Sequence, residues 1–155
     1  MQHEVLKGDD TPRLLGYHFP AEFEPHEATW LSWPHKEASW PARIASIYSH
    51  YAAFVKEISA GEKVRINVND AAAKESAVFY LVKASVDLDC IEFYFHPTND
   101  AWCRDHGPAF VVNRKEKKKM IIDWAYNAWG NKYPPFDLDD EIPTLIARAL
   151  NLPVV

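Results

Sequence analysis

No apolar run in this 155-residue chain reaches membrane-spanning length, and its first ten residues, Met-Gln-His-Glu-Val-Leu-Lys-Gly-Asp-Asp, have neither a basic leader nor an apolar signal core. The expected location is therefore the cytoplasm, with no membrane partner. An excess of positive charge is also lacking. The formal net charge is -5, which leaves no electrostatic footprint for a nucleic-acid backbone and suits a small cationic ligand better. Cysteine is scarce too. Cys90 and Cys103 are the only two, and in a reducing compartment they are expected to be free thiols. What is present is a chain 48% hydrophobic, 25% charged and 14% aromatic, a composition that argues against disorder and fits one globular domain.

The hydrophobic pattern alternates between two periods. "EATWLSWP" predicts a short first strand from Ala28 to Trp33, closed by Pro34. From Ser39 onward, Ile44, Ile47, Tyr48, Tyr51, Val55 and Ile58 recur at spacings of three and four, predicting an amphipathic helix with Pro41 in its first turn and Gly61 as its stop. "KVRINVN" alternates Val64, Ile66 and Val68 with polar residues, as a strand with one buried face would. The alanine-rich "AAAKESAVFYLVKAS" that follows reads as helix. "IEFYFHP" alternates Ile91, Phe93 and Phe95 with Glu92, Tyr94 and His96 and is broken by Pro97, so the next segment, "TNDAWCRDHGP", is a loop at a strand end. "AFVVN" and "MIIDWA" flank the basic run Arg114 to Lys119, predicting a β-hairpin with a solvated turn. An irregular aromatic stretch leads to a final helix from Asp139 to Leu150, with Pro143 in its first turn.

The loop from Thr98 to Pro108 carries the densest chemistry. Asp100 and Asp105 lie beside Trp102, and a planar cation can be held by a bidentate carboxylate while its face rests on an indole. A structural reading fits the same residues: Arg104 forms an internal ion pair with one of the aspartates, and Trp102 is core. Cys103 and His106 would suit a nucleophile pair or half a metal site. Zinc needs about four ligands, and no second paired cluster of Cys and His exists here, so no metal is expected. Cys103, between Trp102 and Arg104, is expected to be a buried thiol.

Three segments, "PAEFEPHEATWLSWP", "TNDAWCRDHGP" and "DWAYNAWGNKYPPFDLDDEIP", occur in an order that resembles the N-terminal part of the agmatine deiminases, the family that also holds the bacterial-type peptidylarginine deiminases. The resemblance covers residues 18–155 and leaves 1–17 as an N-terminal extension. It implies an α/β fold: part of a pentein-like α/β propeller, about two of five ββαβ-type units around a central substrate channel. It also implies the chemistry. A cysteine thiolate attacks the guanidinium carbon, ammonia leaves, and water releases the ureido product, here N-carbamoylputrescine from agmatine, a step toward putrescine and other polyamines. Asp105 matches the carboxylate that grips the guanidinium nitrogens and Trp102 the indole lining the channel, while Asn99, Asp100, Arg104 and Trp129 match supporting positions. No cofactor is implied.

The family's nucleophilic cysteine, its catalytic histidine and its second guanidinium-binding aspartate cannot be placed in this sequence. The resemblance thus assigns no catalytic residue to these 155 residues and predicts that they act as the first two-fifths or so of the propeller, inactive alone, and either self-associating as a homo-oligomer or requiring the missing C-terminal part. Two alternatives stand beside this. One is a non-catalytic fragment or assembly module that keeps a guanidinium-binding cage. The other is a peptidylarginine deiminase, against which the loop from Tyr126 to Pro135 argues, because it holds no arginine and Lys132 is its one cation.

Overall fold

The computed structural model describes residues 11–155, so the leader reading above, and residues 1–10 of the expected extension, lie outside the described residues. Ala28–Ser32 forms β1, Lys63–Asn67 forms β2 and Ile91–Tyr94 forms β3, all mutually parallel with β2 in the centre. The connections are helices α1 (Ile44–Ser59) and α2 (Ala71–Lys83). After β3 come a single helical turn α3 (Cys103–His106), the antiparallel hairpin of β4 (Ala109–Asn113) and β5 (Lys118–Ile122), two short turns α4 (Ala128–Asn131) and α5 (Asp137–Asp140), and the closing helix α6 (Ile142–Leu150). The described residues form an α/β arrangement with no closed sheet, so the expected propeller is not itself visible in them.

Alternation along the parallel strands sends Leu31, Val64, Ile66 and Ile91 into a core completed by Ala52 and Val55 of α1 and Ala77 and Leu81 of α2. The residues between them face the other way. One buried face was expected for β2, but Arg65 and Asn67 are buried on the other as well, with Ser32 of β1 beside them. Polar groups can be buried there because each is partnered. Arg65 donates to Glu27 and Glu92, both at 2.8 Å, and lies over the Trp30 ring. Asn67 donates to Ser32 Oγ and meets His96 Nδ1 at 3.1 Å. Lys63 and Arg65 together draw the Glu92 carboxyl down to about 2. Trp30 also touches a second core, formed by Ile121, Ile142, Ile146, Ala147 and Val154.

Local signals explain most boundaries. Asp70 caps α2 by accepting the Ala73 N–H at 2.8 Å. Asn151, left-handed at φ 53, ends α6, and the Leu152 N–H returns to the Ala147 carbonyl in a Schellman closure. Pro143 sits in the first turn of α6, as expected. Pro41, by contrast, precedes α1 rather than starting it. Ala42 turns left-handed at φ 55, its N–H taken by Glu37, and the helix begins only at Ile44. Past β3 the alternation inverts: Phe95 is exposed and His96 buried, because the strand ends at Tyr94 and the chain turns toward Pro97. No helix among the described residues is long and apolar enough to cross a membrane.

Two neighbours on α2 test this division. Leu81 is fully buried and Phe79 is 61% exposed. Leu81→Ala should cost about 2–5 kcal/mol in urea unfolding, and Phe79→Ala less than about 0.5 kcal/mol.

Candidate functional site

Parallel strands place the loops that follow them at one edge of the sheet, where open α/β folds gather ligands. Here the loop after β3 is held from three directions. From the segment after β2, Asn69 accepts the Thr98 N–H at 3.1 Å and donates to the Thr98 carbonyl at 2.9 Å. From the segment after β1, Ser39 Oγ donates to Asp100 at 2.5 Å and the Lys36 ammonium lies 3.5 Å from the same oxygen. From downstream, Asp139 accepts the N–H groups of Asn99 and Asp100, while Asn99 Oδ1 accepts those of Leu138 and Asp139. Asp100 and Asp139 are both buried.

So anchored, the loop turns through α3 and presents its side chains unequally. Asp100 is consumed by the anchorage. Arg104 pairs with neither aspartate; it is exposed and meets Glu22 at 2.6 Å, an ion pair worth little in water. The internal Arg104–Asp ion pair of the structural reading is therefore absent among the described residues. Cys103 packs against the core under the sheet, and burial pushes its thiol above its ordinary range, the opposite of nucleophile activation. Both cysteines are free. Asp105 is exposed, and its carboxylate has neither hydrogen bond nor ion pair among the described residues.

Aromatic faces gather beside it. Trp102, 47% exposed, stands edge-on to Trp129, 51% exposed, with centroids 5.9 Å apart and planes at 89°. Trp129 also meets Tyr126 at 6.2 Å and Tyr133 at 5.8 Å. The backbone that delivers Trp129 is unusual: residues 128–131 all have positive φ, and three of the four are not glycine, a strained conformation of the kind that collects at ligand sites. Asn127 steadies it by accepting the Gly130 N–H at 2.9 Å. Burial, followed by the charges of Asp139, Asp105 and Asp100, pushes the Tyr126 phenol up to about 12. Three carboxylates therefore act on the half-buried Tyr126, which touches the exposed Trp129 ring, an environment that attracts cations and repels anions. Among the described residues no group of three or more His, Cys, Asp and Glu side chains is arranged to hold a metal.

Residues 18–155 match the model of the Porphyromonas-type peptidyl-arginine deiminase family. The chain belongs to that family. Among curated relatives it is 37% identical over 136 residues to the agmatine deiminase of Ectopseudomonas mendocina, covering 85% of this chain and 35% of that protein. It is 31% identical over 149 residues to the agmatine deiminase of Pseudomonas savastanoi, covering 94% and 39% respectively. Among solved structures, the agmatine deiminase of Enterococcus faecalis superposes with a TM-score of 0.82 at 28% identity, over 96% of this chain and 40% of that one. A C. Jejuni agmatine deiminase with substrate bound gives a TM-score of 0.73 at 27% identity, over 90% and 39%. The chain thus spans about two-fifths of the length of these relatives.

Trp102, Asp105 and Trp129, picked out from the motifs, come together at this patch, whereas Asn99 and Asp100 serve its anchorage. Lys36, Ser39, Asn69, Tyr126 and Asp139 escaped the sequence reading. Only Asp139 had a local signal, in the acidic run "DLDD" just before the proline of α6.

His106 lies beneath the patch, 1% exposed, with its ring 6.3 Å from Tyr126 and no hydrogen-bond partner at either nitrogen among the described residues. Burial lowers its pKa to about 4, and the nearby Asp105 and Asp100 offset that only in part. A histidine kept neutral by folding takes up its proton more readily when unfolded. Its stabilisation is complete above about pH 6.5 and is lost as pH falls toward 4, on the order of 3 kcal/mol in all. Urea unfolding from pH 7 to 4 should show this decline, and His106→Phe should remove that component while leaving the rest of the acid dependence.

Proposed function

We propose that the chain is the N-terminal portion of an agmatine deiminase-like hydrolase, converting agmatine and water to N-carbamoylputrescine and ammonia. The observation that carries this reading is the unpaired carboxylate of Asp105 beside the exposed Trp102 and Trp129 rings, in a member of a deiminase family. In this reading residues 18–155 are about two of the five units of an α/β propeller, and the patch lines its central channel. Asp105 grips the guanidinium nitrogens through charge-assisted hydrogen bonds, and Trp102 supports the cation's face. Held in this way, the guanidinium carbon is oriented for attack by a cysteine thiolate supplied from outside these residues. The C–S bond forms, the C–N bond breaks as ammonia departs, and water then displaces the sulfur.

Agmatine suits the patch better than arginine does. It is a dication at neutral pH, whereas the carboxylate of arginine would meet three aspartates and a loop with no guanidinium fork; Lys132, directed over the Tyr133 ring at 5.3 Å, is the loop's one cation. The family description favours peptidylarginine as the second reading. In the complete protein, kcat/KM for agmatine should exceed that for arginine or a C-terminal arginine peptide by about two orders of magnitude. Comparable values would sink the assignment, and a peptide preference abolished by Lys132→Ala would establish the second reading.

Two further measurements separate enzyme from assembly module. The 155 residues alone should release no ammonia from agmatine above background, since Cys103 is not the nucleophile; turnover lost in Cys103→Ala would refute this. Asp105→Asn in the complete protein should leave the melting temperature unchanged and lower kcat/KM by at least ~100-fold, the loss of a charged contact to a buried guanidinium.

A further inference from the structure

The Asn99–Asp139 pairing has a symmetry that a general structural contact does not need. One carboxylate oxygen of Asp139 accepts two consecutive N–H groups, of Asn99 at 2.7 Å and Asp100 at 3.2 Å. In return, the side-chain oxygen of Asn99 accepts the first free N–H groups of α5, from Leu138 at 2.8 Å and Asp139 at 3.3 Å. Asn99 thus caps a helical turn from 40 residues away in sequence. Its amide nitrogen also reaches Asp137 at 3.3 Å. The next residue, Asp140, accepts the Tyr126 N–H at 2.5 Å, so the same turn fixes both ends of the aromatic segment: Tyr126 at its start and Phe136 at its close, the two rings 6.2 Å apart. Between these points lies the left-handed run that carries Trp129.

Each half of the cation patch rides on one partner of the pairing. Trp102 and Asp105 follow Asn99 by three and six residues, and Trp129 hangs between Tyr126 and the α5 turn. No hydrogen bond among the described residues links the two loops directly at the aromatic level; there the Trp102–Trp129 and His106–Tyr126 ring contacts join them.

We propose that Asp139 is a positioning residue of the guanidine site: paired reciprocally with Asn99, it sets the placement of Trp102 and Asp105 relative to Trp129. The ligand chemistry rests on the reading given under Proposed function; the placement does not. Asp139 acts here as an acceptor, and burial already weighs against its charge, so an amide oxygen at the same place serves as well.

Two neighbouring indoles couple their transitions, which gives a far-ultraviolet exciton couplet in circular dichroism that reports their mutual geometry without any ligand. In the 155-residue chain, wild type should show this couplet, and Trp129→Phe should remove it, assigning it to the Trp102–Trp129 pair. Asp139→Ala and Asn99→Leu should each abolish or invert it, while Asp139→Asn retains it. In the complete protein, tryptophan-fluorescence titration with agmatine should follow the same order, weakened at least about tenfold in the first two variants and within about twofold of wild type in the third. Absence of the couplet in wild type, or its persistence in both disruptive variants, overturns the proposal. So does global unfolding of both, which would assign the pairing to core stability. A couplet that responds as stated while agmatine binds to none of the proteins leaves the positioning role standing and overturns the guanidine reading.

Discussion

A chain leaving a parallel sheet at a proline carries backbone N–H groups that no strand can receive, and burying them is costly unless side chains accept them. The loop after β3 meets this constraint with oxygens drawn from Asn69 and Asp139. The arrangement at the sheet edge depends on that exchange. It brings the segments after β1, β2 and β3 together with the aromatic stretch before α6, and it holds residues 98–100 still so that residues 102–105 project outward from a fixed base.

The carboxylates divide their work accordingly. Asp139 and Asp100 are buried and satisfied by donors, Asp139 by backbone N–H groups and Asp100 by Ser39 and its own loop with Lys36 beside it. Their negative charge nevertheless reaches Tyr126 and the open patch. Asp105 is relieved of any structural duty and keeps its full capacity to accept. Preorganisation of this kind, in which supporting groups are spent on geometry and one group is left free, favours a ligand that can use both the free oxygen pair and the background field. Elsewhere Arg65 pairs with Glu27 and Glu92, which also receive Lys119 and Lys63.

Periodicity made the three parallel strands, both connecting helices, the hairpin and α6 legible in the sequence, because each is specified by residues within one or two turns or pleats of one another. Trp102 and Asp105 were legible through their motif. The partners of that motif were not. Ser39 and Asp139 are ordinary polar residues whose roles exist only through contacts 39 to 61 positions away; nothing local distinguishes Ser39 from its solvated neighbours, and the acidic run around Asp139 does not say which of its carboxylates is buried. Arg104 misled in the opposite sense: proximity in sequence to two aspartates suggested a pairing, but a single helical turn rotates its side chain outward to Glu22. Pattern reading also gave β2 one buried face where both are buried, since alternation reveals which residues share a face and not what covers it.

The contacts that join the site loops have a consequence for the order of folding. They link residues 29, 39, 40 and 61 positions apart, and each closes a loop whose entropy must be overcome before the bond contributes anything. Once β1, β2 and β3 are paired, those closures become short-range in space and inexpensive. The loop edge, whose contacts close most easily on a paired sheet, is expected to gain protection from solvent exchange last and to yield it first.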